Sequence, residues 1–452
     1  MLSYVIRVTG TRERWTALEI CKRLLCPRIR WYTAGSTDRL QDVLFDLCQR
    51  RHFILGDKLT ATSLLRGFHS LGPLGIELKK NLINEWWSMV LLKREQVLAI
   101  DTLNHLSGES ASSTKPLLRI CPESWLELLQ KRDLTKDQLV ALLKEHVGEL
   151  GALRQDLLYG GLLHYVSCLE LVNRKLPFGI AEVGKCFHCF SEDEHNDLPL
   201  IRIGERTVAS LTWFSSAKTS GQWRDYWLRH RLLWWQRFSQ VPSRFSSDHQ
   251  DNMSVIHYHF PWGKEPVESL CCMDEASLTQ MHCGGSAKLH GRDGRKSVIP
   301  HVVWVSGDLD RGLLAYLSDA LQLTENQLSR GKDQQRMVLK IHPSLAPIKV
   351  AVDLGKGPAV DLRLVCQGLS DELRESRISV WPGYLDTLQT PMEQLFTKYD
   401  EMGVMFTVLV SDITLENGLL QLRSRDTTIK ETMHISKLRD FLLQYITATK
   451  KH

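Results

Sequence analysis

Two neighbouring stretches of the chain read LPFGIAEVGKCFHCF, residues 176–190, and LIRIGERTVASLTWF, residues 200–214. The second stretch alternates between two sets of side chains, Ala209, Leu211 and Trp213 on one side and Val208, Ser210, Thr212 and Phe214 on the other. Successive side chains of a strand point to opposite faces of its sheet. We therefore predict two strands, over 179–190 and 200–214.

Helical patterns surround these strands. A turn at 71–75 opens an amphipathic helix that carries Leu78, Leu82 and Trp86 on one stripe, which is typical of burial against either a second chain or the chain's own core. Residues 122–175 read as helical throughout, and they form either an oligomerisation insert or a plain helical subdomain. A Trp- and Arg-rich helix is predicted over 222–238, and the polar stretch 248–252 is predicted as a loop.

The pattern changes after a polar linker at 325–335. From residue 337 to 452 short strand patterns alternate with helical ones, which predicts a small α/β domain with a partly parallel sheet. The fold class is therefore α/β, with one unit over 33–336 and a second over 337–452.

Composition excludes several classes of protein. The chain has 452 residues, of which 43% are hydrophobic and 24% charged, an ordinary globular composition that excludes collagen-like and disordered chains. No apolar stretch approaches the roughly 18 residues that span a bilayer. The eleven cysteines lack the spacing of a disulfide framework.

The net charge is concentrated at the amino terminus. Residues 1–32 hold seven basic and two acidic side chains, which is the whole of the formal charge of +5. A basic, acid-poor segment of this kind predicts a mitochondrial transit peptide, with cleavage after Tyr32. The alternative is a basic first helix of the mature protein.

Familiar catalytic and metal motifs are weak or absent. Cys186 and Cys189 have the spacing of half a zinc site, but their potential partners are adjacent in sequence, so buried thiols are favoured. The stretch 354–357 lacks the first Gly and the Ser or Thr of a phosphate loop. We predict no metal and no cofactor.

Two basic patches are candidates for nucleic-acid contact. The glycine-containing loop 288–296 carries Lys288, Arg292, Arg295 and Lys296, and such a loop can follow a phosphate backbone. The alternative is a solvated hairpin tip. In the Trp-rich helix, Arg229 and Arg231 are weaker candidates, because a core helix with a charged outer face explains them as well.

Three segments resemble the core of the class II aminoacyl-tRNA synthetases, and the glycyl enzymes most closely. Residues 72–87 are similar to motif 1, 176–187 to the lead-in to motif 2, and 299–311 to motif 3; the segments 342–350, 398–403 and 423–426 are similar to the anticodon-binding domain. The resemblance implies an antiparallel sheet core, a dimer-forming motif 1 that includes Leu78, Leu82 and Trp86, and an anticodon-binding-like domain after residue 336.

The chain departs from that family where ATP would bind. In the enzymes an Arg-x-Glu of motif 2 grips the ATP, whereas the matching residues here are His188, Cys189 and Phe190. A neutral imidazole poorly replaces a bidentate guanidinium. In motif 3, Trp304 would fill the pocket and Asp308 would repel phosphate, although Arg311 is kept. We predict a scaffold without aminoacylation chemistry.

The same residues also resemble the family of accessory subunits of mitochondrial DNA polymerase gamma, from about Leu44 to Tyr445. This resemblance implies a non-catalytic homodimer in the mitochondrial matrix nucleoid that binds duplex and primer-template DNA and raises the processivity of a catalytic subunit. It implies that the carboxy-terminal domain contacts that subunit, with Arg423 and Arg425 as candidates unless they pair with Asp426 or Glu431. Two alternatives are a divergent mitochondrial glycyl-type synthetase and a tRNA-binding chaperone.

Overall fold

The computed structural model describes most of the chain with gaps. The described residues are 37–56, 59–92, 96–106, 117–118, 135, 137–138, 141, 152–191, 201–250, 253–282, 286–325, 335–386, 390–451. The predicted leader, residues 1–32, and about half of the predicted insert at 122–175 lie outside them.

Helices account for a large part of the described chain. They are α1 (Thr37–Arg50), α2 (Ala61–Leu65), α3 (Pro73–Trp87), α4 (Leu158–Leu163), α5 (Tyr165–Leu171), α6 (Ser220–Arg237), α7 (Ala276–Met281), α8 (Leu309–Ala320), α9 (Ala359–Glu375), α10 (Met392–Glu401), α11 (Asp412–Asn417) and α12 (Ile435–Lys451). A π-helical turn, Ser88–Leu92, continues α3. None of the described helices is long and apolar enough to cross a membrane.

The strands form several sheets. They are β1 (Ile54–Leu55), β2 (Ser70–Leu71), β3 (Val97–Ala99), β4 (His105–Leu106), β5 (Leu117–Leu118), β6 (Ala152–Leu153), β7 (Phe178–Ser191), β8 (Ile201–Ser215), β9 (Phe245–Gln250), β10 (Met253–Phe260), β11 (Gly263–Met273), β12 (Gly291–Asp293), β13 (Lys296–Val298), β14 (His301–Asp308), β15 (Leu321–Glu325), β16 (Gln335–Leu339), β17 (Val350–Leu354), β18 (Val380–Pro382), β19 (Phe406–Val410), β20 (Leu419–Ser424) and β21 (Lys430–His434).

A seven-stranded sheet forms the centre of the larger unit. Its order is β3-β7-β8-β14-β11-β10-β9, and every neighbouring pair except β3 with β7 is antiparallel. The two strands predicted from the opening stretches are β7 and β8, which pair along their whole length from Phe178 opposite Phe214 to Ser191 opposite Ile201. The predicted strands and the predicted antiparallel core are confirmed.

Both faces of this sheet are covered, as the alternation in β8 requires. Leu211 and Trp213 pack into the larger core with α3, α6 and α8. Phe214 faces the other way, into a second core where the ring of Tyr165 in α5 lies 4.6 Å from its own. Strand β14 divides similarly, with Val303 on the first face and Trp304 on the second.

Two local predictions were wrong, and each has a physical reason. Within the stretch 122–175, predicted to be helical throughout, residues 152–171 form a short strand and two helices that meet at His164; Gly161 lets α4 approach β8 so closely that a Cβ there would lie 2.6 Å from the Thr212 hydroxyl. The predicted loop at 248–252 begins in β9. That strand is at the sheet edge with exposed side chains, so its polar composition does not mark a loop.

The smaller unit is a five-stranded sheet with helices. Its order is β18-β17-β19-β20-β21, with β17 parallel to β18 and β19 and the remaining pairs antiparallel, so the predicted partly parallel sheet is confirmed. Strand β21 was not predicted, because it is an exposed edge strand without an apolar face. Helix α11 was also missed; a Ser411 capping box begins it and Gly418, at φ 70°, ends it.

The two units share one continuous apolar core. Ion pairs and hydrogen bonds reinforce the junction: Arg51, the residue after α1, lies 2.6 Å from the buried carboxylate of Glu401, and the Asn81 amide of α3 donates to the carbonyls of Leu345 and Ala346. The predicted linker at 325–335 lies between β15 and β16, which pair with each other; residues 326–334 are outside the described chain. Residues at the end of α1 and on α3 thus hold the smaller unit against the larger one.

Candidate nucleic-acid interface and a filled core pocket

The four cations predicted for DNA contact lie on one small hairpin. Strands β12 and β13 pair antiparallel with the turn at Gly294 and Arg295, and a short 3-10 helix, Ser286–Leu289, precedes them. Lys288, Arg292, Arg295 and Lys296 are all exposed. We call residues 288–298 the basic hairpin. The segment is an exposed hairpin, as the alternative interpretation of its sequence predicted. Its four exposed cations can still contact a ligand.

The base of the basic hairpin is fixed against the turn that follows α5. The backbone N–H of Leu176 donates to the carbonyl of Arg292 at 2.9 Å, and the N–H of Arg292 donates to the carbonyl of Arg174. Gly291 packs so closely that a Cβ would lie 2.7 Å from Leu176. The hairpin is therefore held by main-chain bonds and close packing, and not by its tip.

Sequence reasoning missed two cations beside the hairpin. Arg174 donates to the carbonyls of Lys288 and His290 at 3.3 and 3.2 Å. Lys175 is exposed, and its backbone forms an isolated parallel β-bridge with that of Arg292. Both lie far from the hairpin in the chain. The only signal for them in the sequence is that they form a basic pair directly before the stretch 176–190.

The two candidate arginines of the Trp-rich helix α6 differ in their exposure to solvent. Arg229 is exposed. Arg231 is buried at 1% exposure, and its Nε lies 2.8 Å from the carboxylate of Glu268, which also accepts from the Trp235 indole at 2.6 Å. Arg231 is therefore a core ion-pair residue, and its assignment to a DNA surface is corrected. The alternative of a core helix with a charged outer face fits α6.

The segments that resemble the synthetase motifs meet in a group of side chains in which two arginines are buried and the others are partly buried. We call the group His188, Phe190, Arg206, Glu265, Asp308 and Arg311 the arginine pocket. Arg311 is 4% exposed and donates to the carbonyls of Pro266 at 2.8 Å and Leu65 at 3.4 Å. Arg206 donates to the same Leu65 carbonyl at 2.7 Å. Asp308 lies 3.5 and 3.6 Å from the two guanidinium groups.

The positions that match the Arg-x-Glu of motif 2 line this pocket. Burial first, and then the charges of Arg206 and Arg311, lower the pKa of His188 to about 3, so its imidazole is neutral near pH 7. The Phe190 ring lies under two guanidinium groups, 5.2 Å from Arg66 and 5.7 Å from Arg206. Burial also raises the pKa of the Glu265 carboxyl. The pocket is occupied by the chain's own side chains and carbonyls.

The remaining motif 3 and cysteine predictions concern buried residues. Trp304 is buried, and its indole donates to the Ser210 hydroxyl at 3.0 Å. Cys186 is fully buried, and burial raises the pKa of its thiol, as expected of a structural thiol. Within the described residues no group of His, Cys, Asp and Glu side chains is arranged to hold a metal ion.

Both arginines predicted to contact a polymerase lie inside the smaller unit. Arg423 forms two parallel hydrogen bonds of 2.9 Å to Asp400. Arg425 pairs with Asp426 at 2.8 Å, as the alternative reading of its sequence predicted, and donates to the carbonyls of Leu339, Gly403 and Ile341. Their exposures of 5% and 3% leave little surface for another protein, so this assignment is corrected to a structural role.

The three residues assigned to a dimer interface are also internal. Leu78, Leu82 and Trp86 are at most 1% exposed within the single chain, because their stripe of α3 faces the core that includes α8. Of the two alternatives for this stripe, the chain's own core is the one observed. Ile76, on the other side of α3, is 41% exposed.

Comparisons with known proteins agree with the scaffold. Residues 349–445 match the anticodon binding domain family. The chain is 26% identical to the glycine–tRNA ligase of Thermus thermophilus over 509 residues, which covers 89% of this chain and 98% of that protein. Together with the mixed sheets, these similarities define the class as a synthetase-like α/β scaffold.

A much stronger similarity defines the family. The chain is 62% identical over 424 residues to the mitochondrial DNA polymerase subunit gamma-2 of Xenopus laevis, which covers 93% of this chain and 90% of that protein. It is 54% identical over 415 residues to the DNA polymerase subunit gamma-2 of Bos taurus, with 90% and 86% covered. The chain belongs to the DNA polymerase subunit gamma-2 family, and it is a mitochondrial protein.

Proposed function

We propose that this chain is a non-catalytic accessory subunit that holds the catalytic subunit of mitochondrial DNA polymerase gamma on duplex and primer-template DNA and so raises its processivity. A protein that binds both polymerase and DNA slows their separation without any chemistry of its own, because the two contacts act together. The proposal includes a homodimer and import into the matrix by residues 1–32.

The observation that carries the non-catalytic part is the state of Arg311. Stabilising a reacting phosphate needs preorganised donors aimed at the developing charge. Here the guanidinium of Arg311 donates to Pro266 and Leu65 carbonyls and faces Asp308. With neutral His188 and apolar Phe190 at the positions of the motif 2 pair, this supports a scaffold that has lost ATP activation.

The DNA part rests on the basic hairpin. Beyond residue 32 the chain is formally neutral, so attraction to phosphate needs a local cluster of exposed cations. The hairpin provides Lys288, Arg292, Arg295 and Lys296, and Arg229 of α6 is a further exposed candidate.

The polymerase contact is proposed for the exposed surface of the smaller unit. Its fourteen basic and fourteen acidic residues between 338 and 452 favour a protein partner over nonspecific DNA. In this proposal Arg423 and Arg425 do not contact the partner. They stabilise the fold of the smaller unit by bonding to Asp400 and to the carbonyls of Leu339 and Ile341.

Primer extension tests the proposal. The catalytic subunit is assayed at moderate salt on a singly primed template, with excess competitor template, in the presence and absence of this chain. We expect longer products for each binding event when the chain is present. Unchanged product length would contradict the proposal. Glycine-dependent exchange between ATP and pyrophosphate by the chain alone would favour the synthetase alternative instead.

A further inference from the structure

The strand register divides the cations of the basic hairpin between two faces. In the antiparallel pair β12–β13, Arg292 is opposite Ser297 and Asp293 is opposite Lys296. Paired residues share a face of a two-stranded sheet, and neighbouring residues along a strand lie on opposite faces. Arg292 and Lys296 therefore point to opposite sides, although the sequence places them in one basic run.

The Arg292 side continues into the turn that follows α5. Lys175 forms a parallel bridge with Arg292, so the two side chains leave the backbone on the same side. The Arg292 guanidinium also donates to the Asn173 carbonyl at 2.6 Å, and Arg174 fixes the segment at Lys288 by donating to its carbonyl. This side therefore joins cations from two distant parts of the chain on one rigid support.

Charge distinguishes the two faces further. The partner of Arg292 across the hairpin is the neutral Ser297, whereas the partner of Lys296 is the carboxylate of Asp293. An acid opposite a lysine lowers the local positive potential and repels a phosphate. Only the Arg292 face presents cations without an opposing acid in the hairpin.

We propose that DNA phosphates contact a composite surface made of Lys175 and Arg292, together with Lys288 beside it and Arg295 at the tip, and that Lys296 lies on the face turned away from the DNA. This inference rests on the proposed DNA binding. It adds Lys175 to the interface and ranks the four cations of the hairpin, which the basic run alone cannot do.

The experiment compares single variants of the full chain by fluorescence anisotropy with a labelled duplex over a series of salt concentrations. Each lost phosphate contact is expected to reduce the slope of log K against log salt by about one. We expect this reduction for Lys175→Ala and for Arg292→Ala, and less than half of it for Lys296→Ala. Lys80→Ala removes an exposed lysine paired with Glu77 in α3 and is the matched control.

Arg292→Lys separates charge from architecture, because it keeps the cation and loses the planar guanidinium that reaches Asn173. We expect it to retain most of the salt slope. Two results would overturn the composite surface while DNA binding stands: an equal loss in Lys296→Ala and Arg292→Ala with no loss in Lys175→Ala, or an Arg292→Lys slope as low as that of Arg292→Ala. If the unaltered chain shows no salt-dependent duplex binding, the proposed function itself fails.

Discussion

Arg311 in the arginine pocket and Arg292 in the basic hairpin carry the same guanidinium in opposite surroundings. Arg311 is 4% exposed and has an acid and two carbonyls around it. Arg292 is exposed, and within the described part of the chain its guanidinium donates to the Asn173 carbonyl. The donors of the first group are used within the chain, by the Pro266 and Leu65 carbonyls and the Asp308 carboxylate. The second leaves most of its donors available to a ligand.

The comparison teaches that residue type does not assign a function in this chain. A buried cation is held by partners whose loss leaves an uncompensated charge, so its removal reduces stability. An exposed cation contributes little to folding and can be removed to test binding alone. The free energy of unfolding of variants at both kinds of site therefore separates structural from binding cations.

The largest effect is expected at Arg231. Because its partner Glu268 is fully buried, Arg231→Ala should lower the free energy of unfolding by about 3–5 kcal/mol. Arg229→Ala, two residues away on the exposed side of α6, should change it by at most about 0.5 kcal/mol. Urea unfolding followed by tryptophan fluorescence measures both. Equal losses in the two variants would contradict the burial argument.

A smaller loss is expected at Asp308 in the arginine pocket. Its carboxylate caps α8 by accepting from the Arg311 N–H at 2.9 Å and faces the guanidinium groups of Arg206 and Arg311. Asp308→Ala should cost about 2 kcal/mol, from the lost cap and the unbalanced charge. Asp308→Asn keeps a capping oxygen and should cost less. Equal losses of stability in Asp308→Ala and Asp308→Asn would show that the capping oxygen contributes nothing beyond the charge.

The pH dependence of stability should change in His188→Gln. The pKa of His188 is about 3 in the folded chain and about 6.5 in an unfolded one. The unfolded state therefore binds more protons between these values, and the stability from neutral His188 is complete above pH 6.5 and lost as pH falls towards 3.

Urea midpoints measured from pH 7 to pH 4.5 test this. The variant should lose less stability on acidification, by up to about 1 kcal/mol for each pH unit. His434→Gln changes an exposed histidine of β21 and serves as the control. An identical pH slope in the unaltered chain and His188→Gln would show that His188 titrates normally.

The smallest effect on folding is expected in the basic hairpin. A triple variant with Arg292, Arg295 and Lys296 changed to Ala should unfold within about 0.5 kcal/mol of the unaltered chain, since all three are exposed. Its duplex binding should weaken, with a salt slope reduced by about two. A large loss of stability would show that these cations stabilise the fold, as the buried arginines do. It would contradict the difference proposed between the two regions.

The periodicity of the chain predicted the long elements and failed at the sheet edges. Strand β8 and helix α3 have side chains that alternate or repeat with the period of their structure, so burial on defined faces is visible in the sequence. Strands β9 and β21 are edge strands with mostly exposed side chains. Their pairing comes from main-chain hydrogen bonds to a neighbour, for which side-chain patterns carry no signal.

The candidate site was predicted only in part. The run 288–296 identified the basic hairpin because its cations are close together in the chain. Lys175 was missed because only the fold brings it beside Arg292. Arg423 and Arg425 were misassigned because their partner Asp400 and the carbonyls of 339–341 lie on other elements.

By itself, the sequence determined the α/β class, the two long central strands, the resemblance to a synthetase scaffold and the basic run at 288–296. Those features depend on local periodicity and on side chains close together in the chain. Only the tertiary structure decided which cations are structural and which face solvent. The physical reason is that a charge is buried only where the fold supplies an opposite charge or hydrogen-bonding partners. For Arg231 and Arg423 those partners, Glu268 and Asp400, are distant residues that pairing of whole elements brings into contact.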